Sequence, residues 1–234
     1  QLFSEPLIST SKSEDKHCFE VLLRLPGSGS DEAIAPQQFL RSALRAGVMG
    51  KADRWLVRDV IEHFNEQPFQ ANRTWRCHIN LSAQSLEDVD FIRFLEQILK
   101  QSVLQPEQLM FEVAEPDADK YFDETYRLFK ELQGLGVGTA LDQFGTGFNS
   151  FRLMRQLPLT QIKVNRFWVQ DMLVDAVDAE LVASCVRIAK VLGIEVCAVG
   201  VESDEARIKL TQLGVDYVQG FVCGHPVEWQ RQEK

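Results

Sequence analysis

Short apolar runs broken by single polar residues alternate along this chain with longer stretches of helical period. The runs 18–25 (CFEVLLRL), 76–82 (RCHINLS), 109–114 (LMFEVA), 137–142 (VGTALD), 161–165 (QIKVN), 195–199 (EVCAV) and 216–221 (DYVQGF) read as strands. Strands this apolar belong to a sheet covered on both faces. Between them, Phe91, Phe94, Leu95 and Ile98 recur on one face of a helix expected over 90–100. Leu181, Cys185, Ile188 and Leu192 do the same for a helix expected over 178–192. Gly134 and Gly136, Gly193 and Gly214 follow helical stretches and precede strands, where a helix C-terminus favours glycine.

Repeated strand–helix units of this kind predict an α/β fold with a parallel sheet. Seven or eight units in about 220 residues point to a single-domain modified TIM (β/α)8-type barrel rather than a doubly wound sheet. No dinucleotide fingerprint follows the first strand, which also argues against the doubly wound form. Residues 1–16 are polar without a clear period and read as a linker or N-terminal extension, leaving 17–234 as the domain. The stretch 26–35 (PGSGSDEAIA) reads as a flexible loop.

The chain has 234 residues, with 25 basic against 34 acidic ones and a formal net charge of -9. That balance excludes a coat for long nucleic acid, which needs a basic footprint. A small anion is still admissible, since a few cations in a cleft override the net charge locally. Cys18, Cys77, Cys185, Cys197 and Cys223 are widely spaced and form no CxxC pair. Four of them sit in apolar runs, as small core residues of a reducing compartment do. No signal peptide or membrane-spanning run is visible, so the cytoplasm is the expected location. The chain opens on Gln1 and reads as a piece of a longer protein.

Polar residues near strand C-termini are the place to look for function in such a barrel. Glu20, Asn80, Glu112, Asp142 and Lys163 interrupt successive apolar strands. Each burial of an ionisable group costs several kcal/mol unless it is paired or coordinated. One such residue fits a solitary core ion pair; five on consecutive strands form a ring around one barrel mouth. The carboxylates and the amide oxygen are hard donors suited to a Mg²⁺- or Mn²⁺-class ion. Lys163 offers a point charge for a phosphate.

The segments FEVLLRL (19–25), ADRWLV (52–57), INLSAQSL (79–86), FEVAE (111–115), LDQFGTGFNSF (141–151), IKVNRFWV (162–169), AVGVES (198–203) and LGVDYVQGF (213–221) resemble, in order and spacing, the motifs of EAL domains. The resemblance spans about residue 18 to 229. It implies a modified TIM barrel that binds cyclic di-GMP, which active members hydrolyse to pGpG with two Mg²⁺ or Mn²⁺ ions. It further implies Glu20, Asn80, Glu112 and Asp142 as metal ligands and Lys163 near the scissile bond. Leu22 and Arg24 would meet the ligand, Arg24 as a guanidinium fork on a phosphate. Asp53, Gln219 and the adjoining Gly220 match ligand-contacting positions, Asp53 accepting from a guanine edge. Glu115 matches the residue that steadies the 143–151 loop. Phe39 fits either a stacking ring for the ligand or a helix-face core residue.

The motif breaks at three positions. The family's DDFGTG reads Asp142-Gln143-Phe144, its KxD reads Lys163-Val164-Asn165, and its AEGVE reads Ala198-Val199-Gly200-Val201-Glu202. Gln143 and Asn165 remove charge at the second ion, and Val199 cannot accept a proton where the general base is expected. Loss of general-base help alone costs about 10²–10⁴-fold. A neighbouring Glu202 or Glu195 would have to take over, from a side chain that points elsewhere. The expectation is a degenerate domain, no longer an enzyme, that binds cyclic di-GMP without requiring a metal; the remaining donors leave room for one Mg²⁺ or Mn²⁺. The EVL spelling is most similar to the FimX type, which implies a role in type IV pilus regulation through a PilZ-family adaptor. A slow phosphodiesterase and a ligand-free scaffold are the alternatives.

Overall fold

The structure is a computed structural model that describes residues 1–11, 17–24, 43, 47–66 and 75–228. Its first elements are β1 (Leu2–Ser9) and β2 (His17–Leu23), then helix α1 (Met49–Glu66), β3 (Trp75–Asn80), α2 (Ala83–Glu87) and α3 (Phe91–Leu99). β4 (Leu109–Ala114) follows, with α4 (Glu115–Lys120), α5 (Phe122–Gly134), β5 (Gly138–Phe144), α6 (Ser150–Gln156) and β6 (Gln161–Val164). The chain continues through α7 (Arg166–Asp171), α8 (Ala176–Leu192), β7 (Glu195–Val199), α9 (Asp204–Leu213), β8 (Tyr217–Gln219) and a short β9 (Val227–Glu228).

Strands β2 to β8 pair in sequence order and run parallel. β1 lies antiparallel between β8 and β2 and closes the ring into a barrel. The expected modified TIM barrel is therefore present, and each strand expected from the sequence lies within about two residues of its observed position. Residues 1–16 depart from expectation. Their first half is not a linker but strand β1, with Leu7 buried inside the barrel. Ser4, Glu5 and Pro6 hid the strand, because they break its apolar pattern and Glu5 meets polar partners inside the barrel. The loop expected at 26–35 lies outside the described residues.

Alternation along each strand separates two environments. Outward residues such as Ile79, Phe111, Leu141, Ile162, Val196 and Val218 join helix residues such as Val57, Phe129, Val186 and Leu210 in one large apolar layer. Inward, Leu7, Cys18, Cys197 and Tyr217 form a small second cluster inside the barrel. The lower end is plugged by Arg76 of β3, whose Nη1 donates across the barrel to Glu195 Oε2 of β7 at 2.6 Å.

On α3 the expected face holds, with Phe91, Phe94 and Leu95 buried. On α8 it is rotated. Val182, Cys185, Val186 and Ala189 are buried, whereas Ile188 and Leu192 are 41% and 42% exposed. α8 and α9 end on Gly193 and Gly214 at φ 72 and φ 83, the left-handed stops that the spacing predicts.

Candidate ligand-binding site

The five polar residues expected around one mouth are brought together there. Lys163 is the hub. Its ammonium, only 2% exposed, donates to Glu20 Oε2 and Glu112 Oε2, each at 2.7 Å, and stands 4.0 Å from Asp142 Oδ1. These contacts cross from β6 to β2 and β4, so the side chains meet inside the barrel. Asn80 Nδ2 donates to Glu20 Oε1 at 2.5 Å, and Gln219 Nε2 donates to Glu20 Oε2 at 2.8 Å.

The electrostatics follow from this arrangement. Burial alone would raise the Glu20 carboxyl, but the Lys163 charge and the amides of Gln219 and Asn80 bring it down to about 2. Glu112 is buried without those amides, and burial together with the Glu20 charge holds it up at about 7 against the pull of Lys163. Burial likewise lifts Asp142 to about 6. Burial disfavours the Lys163 ammonium, yet the surrounding carboxylates raise it well above the usual lysine value. The hub is thus a fixed cation.

Sequence reasoning missed two members of this cluster. His78 of β3 is fully buried, and its Nδ1 lies 2.6 Å from Glu112 Oε1. Burial, reinforced by Lys163, holds its imidazole down at about 3, so the ring is neutral and shares one hydrogen bond with Glu112 through Nδ1, the donor being set by the tautomer. Nε2 is left without a partner among the described residues. Glu5 of β1 accepts from Gln219 Nε2 at 3.2 Å. His78 gave no signal because its partner is 34 residues away; Glu5 was hidden inside the supposed linker.

The expected ligand contacts divide into two groups. Arg24 follows β2 on the face that carries Glu20 and Leu22, and its guanidinium lies over the Phe3 ring at 4.7 Å. Leu22 is half-buried opposite Phe3. Gly220 stands at φ 144, and a Cβ there would come within 2.5 Å of the Val201 backbone, so the turn after Gln219 admits only glycine. Two others are already engaged. Asp53 Oδ2, on α1, accepts from Ser82 N at 2.8 Å, Ser82 Oγ at 2.6 Å and Ser85 Oγ at 2.7 Å. It pins the start of α2, and burial raises its carboxyl. Lys163 is enclosed by carboxylates rather than open to a phosphate. Phe39 lies outside the described residues.

Glu115 behaves as the loop-steadying residue. Its carboxylate accepts from Gly145 N at 2.5 Å, Thr146 N at 3.3 Å, Gly147 N at 3.0 Å and Ser150 Oγ at 2.5 Å. A Cβ on Gly147 would meet Glu115 Oε1 at 2.6 Å, so this close approach needs glycine.

Each departure from the motif has a structural setting. Gln143 adopts φ 57, a left-handed conformation, at a register shift between Leu141 and Phe144. Asn165 caps α7, its side-chain oxygen accepting from Phe167 N at 3.0 Å. Val199 ends β7 and packs against the inner cluster of Leu7, Cys18, Cys197 and Tyr217. Glu195 lies at the opposite end of β7, held by Arg76. Glu202 accepts from Gln170 Nε2 at 3.0 Å and faces Arg166 at 3.7 Å, with 53% of its side chain exposed.

Chemically, Glu20, Asn80, Glu112 and Asp142 form a hard donor set that suits one divalent cation. As arranged, the carboxylates converge on Lys163, and among the described residues no three of His, Cys, Asp or Glu are placed to hold a common ion. An ion entering here would have to share or displace the ammonium. At Gln143 and Asn165 the side chains are amides, and the Asn165 oxygen accepts from Phe167 N.

A family model described as the EAL domain matches residues 3–226. The chain belongs to the EAL domain family. The match begins within β1, in accord with its place in the barrel. The EAL domain of FimX from Pseudomonas aeruginosa, solved bound to c-di-GMP, superimposes with a TM-score of 0.88 at 29% identity, covering 97% of this chain and 90% of that one. The MucR phosphodiesterase in complex with c-di-GMP gives 0.86 at 27%, covering 97% and 91%. Among curated relatives, the cyclic di-GMP phosphodiesterase PdeF of Escherichia coli is 30% identical over 207 residues, covering 88% of this chain and 27% of that protein. The bifunctional diguanylate cyclase/cyclic di-GMP phosphodiesterase MucR of Pseudomonas aeruginosa is 28% identical over 194 residues, 83% of this chain and 28% of that protein. The chain therefore spans about a quarter of the length of these two relatives.

Proposed function

We propose that this EAL domain is a receptor that binds cyclic di-GMP in the barrel mouth and does not hydrolyse it. The observation that carries the reading is Val199 at the end of β7, where the resemblance expects the general base. The carboxylates nearest in sequence do not replace it: Glu195 is held by Arg76 at the far end of the strand, and Glu202 is tied to Gln170. Gln143 and Asn165 further weaken any second metal site. Binding is proposed to proceed without a metal, the phosphates being met by Arg24 and backbone donors, with Leu22, Gln219 and the turn at Gly220 shaping the pocket. A Mg²⁺- or Mn²⁺-class ion, when bound to Glu20, Asn80, Glu112 and Asp142, would supply Lewis-acid polarisation, but the chain offers no residue at the base position to use it.

Likeness to the FimX EAL domain supports a relay role, and a PilZ-family adaptor in type IV pilus regulation is the proposed partner. The cysteines are free thiols, which suits a reducing compartment, and the cytoplasm is the proposed location. Many relatives are named phosphodiesterases, and the surviving donor set keeps slow hydrolysis as the competing reading. Calorimetric titration of cyclic di-GMP, paired with incubation in Mn²⁺ and chromatography for pGpG, separates the two. Binding without pGpG supports the receptor; metal-dependent pGpG above a protein-free blank supports the enzyme; no binding leaves the ligand-free scaffold.

A further inference from the structure

β1 carries an acidic side chain into the mouth that the sequence pattern concealed. Glu5 pairs with Glu20 across the β1–β2 ladder. Gln219 Nε2 donates to both carboxylates, at 3.2 Å to Glu5 Oε2 and 2.8 Å to Glu20 Oε2. One amide nitrogen is thus shared between two acids. Glu20 has the Lys163 ammonium as a direct partner at 2.7 Å, whereas Glu5 has the amide. Glu5 is half-buried, so it remains partly accessible where Glu20 is enclosed. Burial and the Glu20 charge raise its carboxyl, while Lys163 and Arg24 pull it down, so both cations of the mouth act on it.

Lys163 faces Glu20, Glu112 and Asp142, and Arg24 lies over Phe3, two residues from Glu5 on β1. Lys163 is committed to Glu20 and Glu112. Among the described residues, Arg24 is the cation proposed to meet an incoming phosphate. A carboxylate on the β1 face that carries Phe3 opposes the anion by repelling its phosphate. We propose that Glu5 sets the affinity of this mouth for anionic ligands by repelling their phosphates where they approach Arg24 and Gln219. This rests on the reading of the domain as a cyclic di-GMP receptor. Like charges about 8 Å apart at a protein surface repel enough to change an equilibrium by roughly ten- to thirtyfold.

The test is calorimetric titration of cyclic di-GMP, in EDTA at one ionic strength, into the parent, Glu5→Gln and Glu5→Asp. The glutamine keeps the shape and an acceptor for Gln219 while removing the charge; the aspartate keeps the charge and changes the shape. Glu5→Gln is expected to bind about tenfold tighter and Glu5→Asp within about threefold of the parent. Should the glutamine variant misfold by its melting curve, Glu5→Ser carries the same expectation. A neutral variant that binds no tighter than a parent that does bind overturns the role of Glu5 alone. Tightening by both Glu5→Gln and Glu5→Asp also overturns it, because shape would then be the cause. Absence of binding to parent and variants alike overturns this inference together with the receptor reading.

Discussion

Lys163 Nζ reaches across the barrel to Glu112 Oε2 at 2.7 Å, with 2% and 0% of the two side chains exposed. Removing one partner of such a pair leaves a charge in a place water cannot reach, at a cost of about 3–5 kcal/mol. Lys163→Met should therefore lower stability by that amount in urea denaturation, although methionine fills most of the volume. An unchanged midpoint would mean that the hub contributes little to the fold.

The same cluster predicts a pH dependence. Glu112 is held at about 7, above its ordinary 4.5, so the folded state binds this proton more tightly than the unfolded one. Its contribution is complete below 4.5 and is lost as pH rises through about 7. Glu20, brought down to about 2, contributes above 4.5 and loses that contribution as pH falls toward 2. Glu112→Gln should gain on the parent by about 2–3 kcal/mol between roughly pH 5 and 8. The acid limb set by Glu20 should remain. Denaturation midpoints at the two pH values check this.

Gln143 occupies a left-handed conformation at φ 57, which costs a residue with a Cβ about 1–2 kcal/mol. Glycine avoids that cost but loses more chain entropy on folding. Gln143→Gly should raise stability by about 0.5–1 kcal/mol in thermal or urea unfolding. Destabilisation would show that the glutamine side chain makes a compensating contact. Short polar side chains tolerate this conformation better, so Gln143→Asp should be accommodated in any attempt to rebuild the second metal site.

Glu115 is 1% exposed and holds three backbone amides and one hydroxyl. Hydrogen bonds to a buried charge are worth about 1.5–3 kcal/mol each, with losses that do not add in full. Glu115→Ala should cost roughly 3 kcal/mol and speed hydrogen exchange at Gly145, Thr146 and Gly147, leaving the strand amides of β7 comparatively protected. Uniform acceleration across the barrel would instead indicate global unfolding.

Much of the architecture was legible because each inner strand carries a near-continuous apolar run. Lone ionisable residues in those runs, such as Glu112 and Lys163, had to meet one another, and they do. β1 was not legible, because Ser4, Glu5 and Pro6 interrupt the only signal used to find strands. Its Glu5 faces Glu20 and Gln219, partners that a local pattern cannot show. Asp53 and Asn165 were recognised as motif positions, but their present bonds to Ser82, Ser85 and Phe167 depend on tertiary geometry. The α8 face was misplaced by about one position, because a helix with apolar residues nearly all round gives a weak directional signal.

Arg24→Ala removes the guanidinium that the receptor reading assigns to a phosphate. A charged hydrogen bond of this kind is worth about 1.5–3 kcal/mol, so affinity for cyclic di-GMP should fall roughly tenfold to a hundredfold while the melting curve stays close to the parent's. Glu20→Ala should cost affinity less, since its carboxylate lies among groups that face anions. Equal binding by parent and both variants would place the ligand elsewhere.

The central claim, binding without cleavage, is tested most directly by recovering the nucleotide from the protein itself. The domain would be loaded with cyclic di-GMP, incubated for hours with excess Mn²⁺, separated from free nucleotide by gel filtration, and the retained ligand identified by chromatography. The account predicts intact cyclic di-GMP on the parent protein, and pGpG only from the triple variant Gln143→Asp, Asn165→Asp, Val199→Glu. Recovery of pGpG from the parent, or of no nucleotide at all, would contradict it.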